Sequence, residues 1–325
     1  MGTSGAVITS RSWRFPWKSS PIEEPTEPIL GELFGTDRLA QHARQLARRQ
    51  RTAPPELSRR GWRRRQGSLL ARLDATERVL QNIHHSLAGI MSSGVAVSPA
   101  GDWLLDNYHV VVAQIAEIRT TLPENYYDEL PKLAESSPFA GYPRIYEIVI
   151  ELIAHTDGRL DSTTLELMVR EYQRVTPLSM GELWAMPAML RVGFLENIRH
   201  MAQRAARDAA DTVAADAWVT RLLEADDAGS PVLARALGDF VDQSRQLTPA
   251  FLTRFLQQMR SRRADFTPLL WLEQWIGEDV MSVEEAVQRS TQRLALSQLV
   301  MANSIASLRA IGNRSEEHTS KLQSQ

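Results

Sequence analysis

Helical periodicity runs through nearly the whole chain, and it leaves room for little besides an all-α fold. Leu104, Tyr108, Val111, Ile115, Ile118 and Leu122 follow one another in alternating steps of four and three, the spacing of one stripe on one helix. Ile145, Ile148, Val149, Leu152 and Ile153 repeat the pattern, as do Leu165, Met168, Val169 and Tyr172, and again Phe251, Leu252, Phe255, Leu256 and Met259. Strand-type alternation is absent, and no Asn-Gly or Asp-Gly pair joins two such runs as a hairpin. The punctuation agrees. Ser98-Pro99, Ser230-Pro231, Thr248-Pro249 and Thr267-Pro268 each set a hydroxyl cap before a proline, whose missing N–H costs nothing at the first helical position. Ser179-x-x-Glu182 and Ser282-x-x-Glu285 read as capping boxes. Pro187 should kink its helix or mark a tightly wound start. The expectation is a multi-helix bundle or helical array of around ten helices, by our count of capped stripes.

Segmentation follows from composition. Residues 1–28 hold Pro16, Pro21, Pro25 and Pro28 without periodicity and are expected to be a disordered leader. Residues 29–66 form a basic helix and a linker around Pro54-Pro55, residues 67–225 the main helical domain, and residues 226–313 a C-terminal helical bundle. Residues 314–325, Arg314-Ser-Glu-Glu-His-Thr-Ser-Lys-Leu-Gln-Ser-Gln325, resemble a translated sequencing-library adapter and are set aside from fold reasoning. Lys321 lies there; the other lysines are Lys18 and Lys132, and the rest of the 37 basic residues are arginine, as in a GC-rich coding sequence. The natural chain is therefore expected to continue past Asn313 into a longer protein.

Chemistry is sparse. The absence of cysteine excludes disulfides, thiolate catalysis and cysteine-based zinc sites. A net charge of −2 gives no global pull on nucleic acid or anionic lipid. No run reaches the roughly 18 consecutive apolar residues of a membrane span; the richest, Ile148 to Ala154, is broken by Glu151. Arg38 to Arg65 holds ten arginines against one carboxylate, Glu56, and reads first as a solvated, arginine-rich helix and next as a contact for an anionic membrane or partner surface. Nucleic acid is the weaker reading, because Trp62 is the stretch's single aromatic residue. His155-Thr-Asp157-Gly-Arg-Leu-Asp161 is read as a helix end, with Gly158 left-handed and Asp161 capping the next helix, rather than as a metal or acid/base site. His84 and His85 point about 100° apart on a helix and cannot share an ion. No catalytic, cofactor or metal residue is assigned.

Five blocks carry a resemblance: Trp103-Leu-Leu-Asp-Asn-Tyr-His109, Leu122-Pro-Glu-Asn-Tyr-Tyr-Asp-Glu-Leu-Pro-Lys-Leu133, Gly141-Tyr-Pro-Arg144, His155-Thr-Asp157 and Gly181-Glu-Leu-Trp184, followed by Leu195-Glu-Asn-Ile198. In this order they resemble the N-terminal region of bacterial cyclic β-1,2-glucan synthases, from about Pro28 to Ile311. The resemblance implies a large parent enzyme of the inner membrane that builds and cyclises glucan from UDP-glucose with a divalent metal. Its transmembrane and glycosyltransferase domains would follow this region, which would lie on the cytoplasmic side as an accessory docking or regulatory part and would hold no cofactor itself. Trp103, Asn107, His109, Tyr126, Tyr127, Arg144, His155, Glu182 and Trp184 are the candidate interface or glycan contacts, with packing and interface favoured over sugar. Asn107, His109, Arg144, His155 and Glu182 could form one buried polar network. The alternative is a stand-alone helical scaffold that binds a protein or membrane surface.

Overall fold

Helix starts fall where the capping chemistry puts them. Ser98 Oγ accepts from Gly101 N, Thr248 Oγ1 from Phe251 N, and Asp161 Oδ1 from Thr164 N. Ser179 and Glu182 complete a reciprocal capping box. Each cap satisfies a backbone donor that the first helical turn leaves orphaned, a contribution of about 1 kcal/mol. At Ser282 the Oγ accepts from Glu285 N. Ser230 differs: the helix begins at Ser230 itself, directly after Gly229 at φ 106°.

The computed structural model describes residues 29, 31–53, 69–134, 137, 139–243, 248–263, 268–279 and 282–323, with side chains described as far as Asn313 at the C-terminal end. The expected leader of residues 1–28, most of the stretch from Arg51 to Arg65, and Thr267 lie outside the described residues. The helices are α1 (Thr36–Arg49), α2 (Leu69–Ser92), α3 (Pro99–Thr121), α4 (Glu124–Glu129), α5 (Arg144–Ala154) and α6 (Ser162–Gln173). They continue with α7 (Met180–Asp227), α8 (Ser230–Gln243), α9 (Pro249–Arg262), α10 (Pro268–Asp279) and α11 (Val283–Gln323). The all-α expectation holds: among the described residues there is no strand, only isolated bridges from Thr52 to Leu133 and from Lys132 to Pro143.

The axis of the molecule is α7, 48 residues and so about 72 Å long. Pro187 lies inside it, and the helix continues past the proline. Its first half, Ala185 to Ala209, is packed by α2, α3, α5 and α11 around one apolar core. Its second half, Ala215 to Ala225, builds a second core with Phe240, Phe251, Phe255, Leu272 and Ile276 from α8, α9 and α10. Phe240 stacks on Phe255 there at 4.8 Å between ring centroids. α11 joins both: Ala286 belongs to the second core, and Val300, Met301, Ile305 and Leu308 to the first.

α5 shows why the stripe reading understates burial. Its stripe Ile145, Ile148, Val149, Leu152 and Ile153 is buried, but so are Tyr146, Glu147 and Ile150. The helix packs on α7 and takes hydrogen bonds from His42, Arg49 and Gln50 at its other side, so most of its circumference is covered. Gly193 of α7 lets it approach: a Cβ there would meet Ile153 Cδ1 at 2.6 Å and Val149 Cγ1 at 3.1 Å.

One membrane expectation needs correction. Val283–Asn313 of α11 is long and apolar enough to cross a membrane by length and average composition. No unbroken apolar run marks it, because Gln298, Asn303 and Arg309 interrupt the apolar residues. Within this fold the same face packs against α3 and α7, as a core helix does.

Candidate functional site

A continuous polar seam ties α1, α5, α6 and the start of α7 together. Arg144, first residue of α5, makes a two-pronged pair with Glu182: Nε donates to Oε1 at 2.5 Å and Nη2 to Oε2 at 2.8 Å. Its Nη2 also donates to Pro177 O at 2.8 Å. Glu182 Oε2 accepts further from Ser179 N and Oγ, so one carboxylate closes the helix cap and anchors α5. Burial would raise the Glu182 pKa, but Arg144 and Ser179 outweigh it and hold the carboxyl below its usual range. Beside it, Tyr172 OH donates to Gln50 Oε1 at 2.5 Å, and Gln50 Nε2 donates to Glu147 Oε2 at 2.7 Å. Burial, only partly offset by Arg144, pushes the Tyr172 phenol up to about 12.

The seam continues along α5. Arg49 Nη2 bridges Glu147 and Glu151. His42 Nε2 and Glu151 Oε2 are 2.8 Å apart, and His155 Nε2 stands 3.5 Å from the same oxygen. His155 Nδ1 donates to the Glu32 carbonyl at 2.7 Å. Phe34 stacks on the His155 ring at 3.7 Å and meets His42 edge-on at 5.3 Å. The helix end around His155 has the expected local chemistry: Gly158 at φ 71° is left-handed, and Asp161 caps α6. What the local reading missed is that His42 and Glu151 converge on this histidine from α1 and α5. Nothing local signals this, since His42 and Glu151 stand 109 residues apart in sequence.

The sequence candidates therefore do not form one network. Arg144, Glu182 and Tyr126 cluster at the start of α7, where Tyr126 OH donates to Gly181 O. Tyr127 is buried under the Lys132 ammonium, 4.7 Å from its ring centroid, and burial pushes its phenol up. His155 closes the other end of α5. Asn107 belongs to α3, where its Nδ2 donates to Trp103 O at 2.7 Å and its Oδ1 accepts from Arg309 of α11. His109 and Trp103 are exposed on α3. Trp184 is 74% exposed, and Met180, one turn earlier, 66%.

A second buried charge cluster was invisible in the sequence. Glu196 accepts from Arg72 Nε at 2.7 Å, from Arg199 Nη2 at 3.0 Å and from Thr76 Oγ1 at 3.2 Å. Burial opposes its ionisation, yet Arg72 and Arg199 keep its pKa below the ordinary value. His200 is buried beside it; desolvation and then the Arg199 charge push its pKa down to about 4. Among the described residues its Nδ1 has no hydrogen-bond partner.

The basic stretch looks different in three dimensions. Arg38 pairs with Glu32, Arg44 with Glu171 and Arg49 with Glu147 and Glu151, so much of the charge on α1 is neutralised within the fold.

No protein-family model matches the chain. Among curated proteins, cyclic β-(1,2)-glucan synthase NdvB of Rhizobium meliloti (strain 1021) is 30% identical over 244 residues, 74% of this chain and 8% of that protein. The chain is similar to a small part of a cyclic β-(1,2)-glucan synthase. It thus spans less than a tenth of the length of the synthase it matches. The blocks that carried the synthase resemblance fall on α3, α4, α5 and the start of α7 and in the turns beside them, and all but His155-Thr-Asp157 contribute side chains to the first core. Leu195-Glu-Asn-Ile198 is buried throughout, and Asn197 Nδ2 donates to Ser304 Oγ of α11 at 3.4 Å.

Proposed function

We propose that this chain is an accessory helical region of a cyclic β-1,2-glucan synthase, one that docks, organises or regulates catalytic domains lying elsewhere in the parent. The observation that carries the reading is the 30% identity to the synthase over 74% of this chain. Two features of the fold support it. The matched blocks serve interhelical packing and buried ion pairs, which is what a rigid docking part requires. Met180 and Trp184 form an exposed apolar pair one turn apart, suited to a partner surface. In this reading the partners are the transmembrane and glycosyltransferase domains of the parent, on the cytoplasmic side of the bacterial inner membrane. UDP-glucose and a divalent metal belong to the transferase part, and no residue here is assigned to them.

The test is to delete the matched segment from the Rhizobium meliloti synthase and supply this chain separately. Glucan synthesis from UDP-glucose should fall on deletion and recover in part with the added chain, whereas the chain alone should leave UDP-glucose intact. Undiminished synthesis after deletion overturns the proposal, and so does turnover by the chain alone. The second reading is a stand-alone scaffold that meets an anionic membrane through Arg38 to Arg65, with Arg48 and Arg51 exposed at the end of α1. It requires vesicle binding that weakens as salt rises.

A further inference from the structure

The meeting of His42, Glu151 and His155 has a polarity problem. Each offers a potential ligand atom to the same small space, and these atoms all lie within 4.8 Å of one another. His155 Nδ1 donates to a backbone carbonyl, which leaves Nε2 as the atom aimed at the Glu151 carboxylate. A neutral imidazole with that tautomer turns a lone pair toward a negative oxygen. A cation held between the two atoms would satisfy both.

We propose that His42, Glu151 and His155 form a binding site for a zinc-class transition-metal ion, which clamps α1 to the end of α5. The donor set is two imidazoles and one carboxylate, which suits zinc and its neighbours rather than magnesium. Ligands on one tetrahedral zinc ion stand about 3.3 Å apart, given bonds of about 2.0–2.2 Å. The two spacings to Glu151, 2.8 and 3.5 Å, bracket that value, and the imidazole atoms lie within 4.8 Å of each other. Small side-chain rotations close the remaining gap. The outer shell is already built. The Glu32 carbonyl fixes the His155 tautomer, as metal-ligating histidines need. Arg49 holds the other carboxylate oxygen, Oε1, and leaves Oε2 for the ion. Phe34 stacks against one ring and edges the other, which limits their rotation. Gly31 permits the strap of residues 31–34 to pass close: a Cβ there would lie 2.7 Å from His155 Cε1. The three side chains retain 14 to 19% exposure, enough for an ion and a fourth, solvent ligand to enter.

The full chain, stripped with a chelator, is titrated with Co²⁺ as a spectroscopic probe. One equivalent should bind with the visible absorption of a tetrahedral site, be displaced by Zn²⁺, and be unaffected by Mg²⁺. His42→Gln and His155→Gln should each weaken binding at least about tenfold, more than the loss of an outer-shell group alone. His84→Gln, on another helix, should leave it unchanged. Where a histidine variant fails to fold, imidazole ¹⁵N spectra of the unaltered chain decide. Zn²⁺ should shift the Nε2 signals of two histidines, with Nδ1 still protonated in one of them. Binding that survives both histidine substitutions, or spectra in which no imidazole responds to Zn²⁺, overturns the proposal.

Discussion

Gly193→Ala sets two effects against each other. Replacing a mid-helix glycine with alanine ordinarily stabilises a helix by about 1 kcal/mol. Here the new Cβ would sit 2.6 Å from Ile153 Cδ1 and 3.1 Å from Val149 Cγ1, well inside contact distance. Ile153 is fully buried, so its terminal methyl has no solvent to move into. Overpacking of this kind costs about 1–3 kcal/mol. The propensity gain should therefore be cancelled or exceeded, leaving Gly193→Ala destabilised by up to about 2 kcal/mol. The decisive comparison adds Ile153→Val, which removes the clashing methyl and alone costs about 0.5–1.5 kcal/mol. In the double variant the alanine methyl fills the space that Cδ1 vacates. The pair should then be more stable than the sum of the singles by at least about 1 kcal/mol. Urea unfolding followed by circular dichroism measures all four proteins. Additive effects, or a Gly193→Ala variant more stable than the parent chain, would refute the close-approach argument.

Other expectations can be checked in the same assay. Glu196→Gln removes the carboxylate charge that half-buried Arg72 and buried Arg199 share and should cost about 3 kcal/mol, whereas an effect below about 1 kcal/mol would show the cluster to be dispensable. Because the folded-state pKa of Glu196 is depressed, the stability it contributes is present above the unfolded carboxylate range and lost as pH falls through the folded value. His200 acts in a higher window. Its folded pKa of about 4 lies below the unfolded value near 6.5, so the unfolded state gains the proton first and stability declines from about pH 6.5 towards 4, by at most about 3 kcal/mol. His200→Phe should flatten that part of the stability–pH curve. Trp184→Ala should change stability by less than about 0.5 kcal/mol, since the ring is mostly exposed, while reducing any association with a partner that uses that surface.

The helices were legible because their information is local. Ser98, Ser179 and Thr248 announce starts through chemistry confined to four residues, and the stripes on α3, α5 and α9 follow from period alone. What escaped was everything joined across the sequence. Nothing in the sequence around Glu147, Glu171 and Glu196 marks them as partners of the arginines that α1 and α2 bring from about a hundred residues away in the chain. The arginine-rich helix α1 likewise read as a solvated or membrane-facing surface because its partners lie on α5 and α6. The candidate residues suffered in the same way. Sequence neighbours such as Trp103 and Asn107 stay together, but His155 belongs with His42, and period and spacing hold no record of that meeting.

The single helix α7 crosses both cores without a break, and α11 runs alongside it through both. A rigid rod shared in this manner transmits torque. Rotating the phenylalanine-rich end about the axis must turn the stretch that holds Glu196, because no loop, proline or glycine interrupts α7 between Glu196 and Ala225. A partner that grips one end of the rod thereby sets the orientation of whatever is bound at the other.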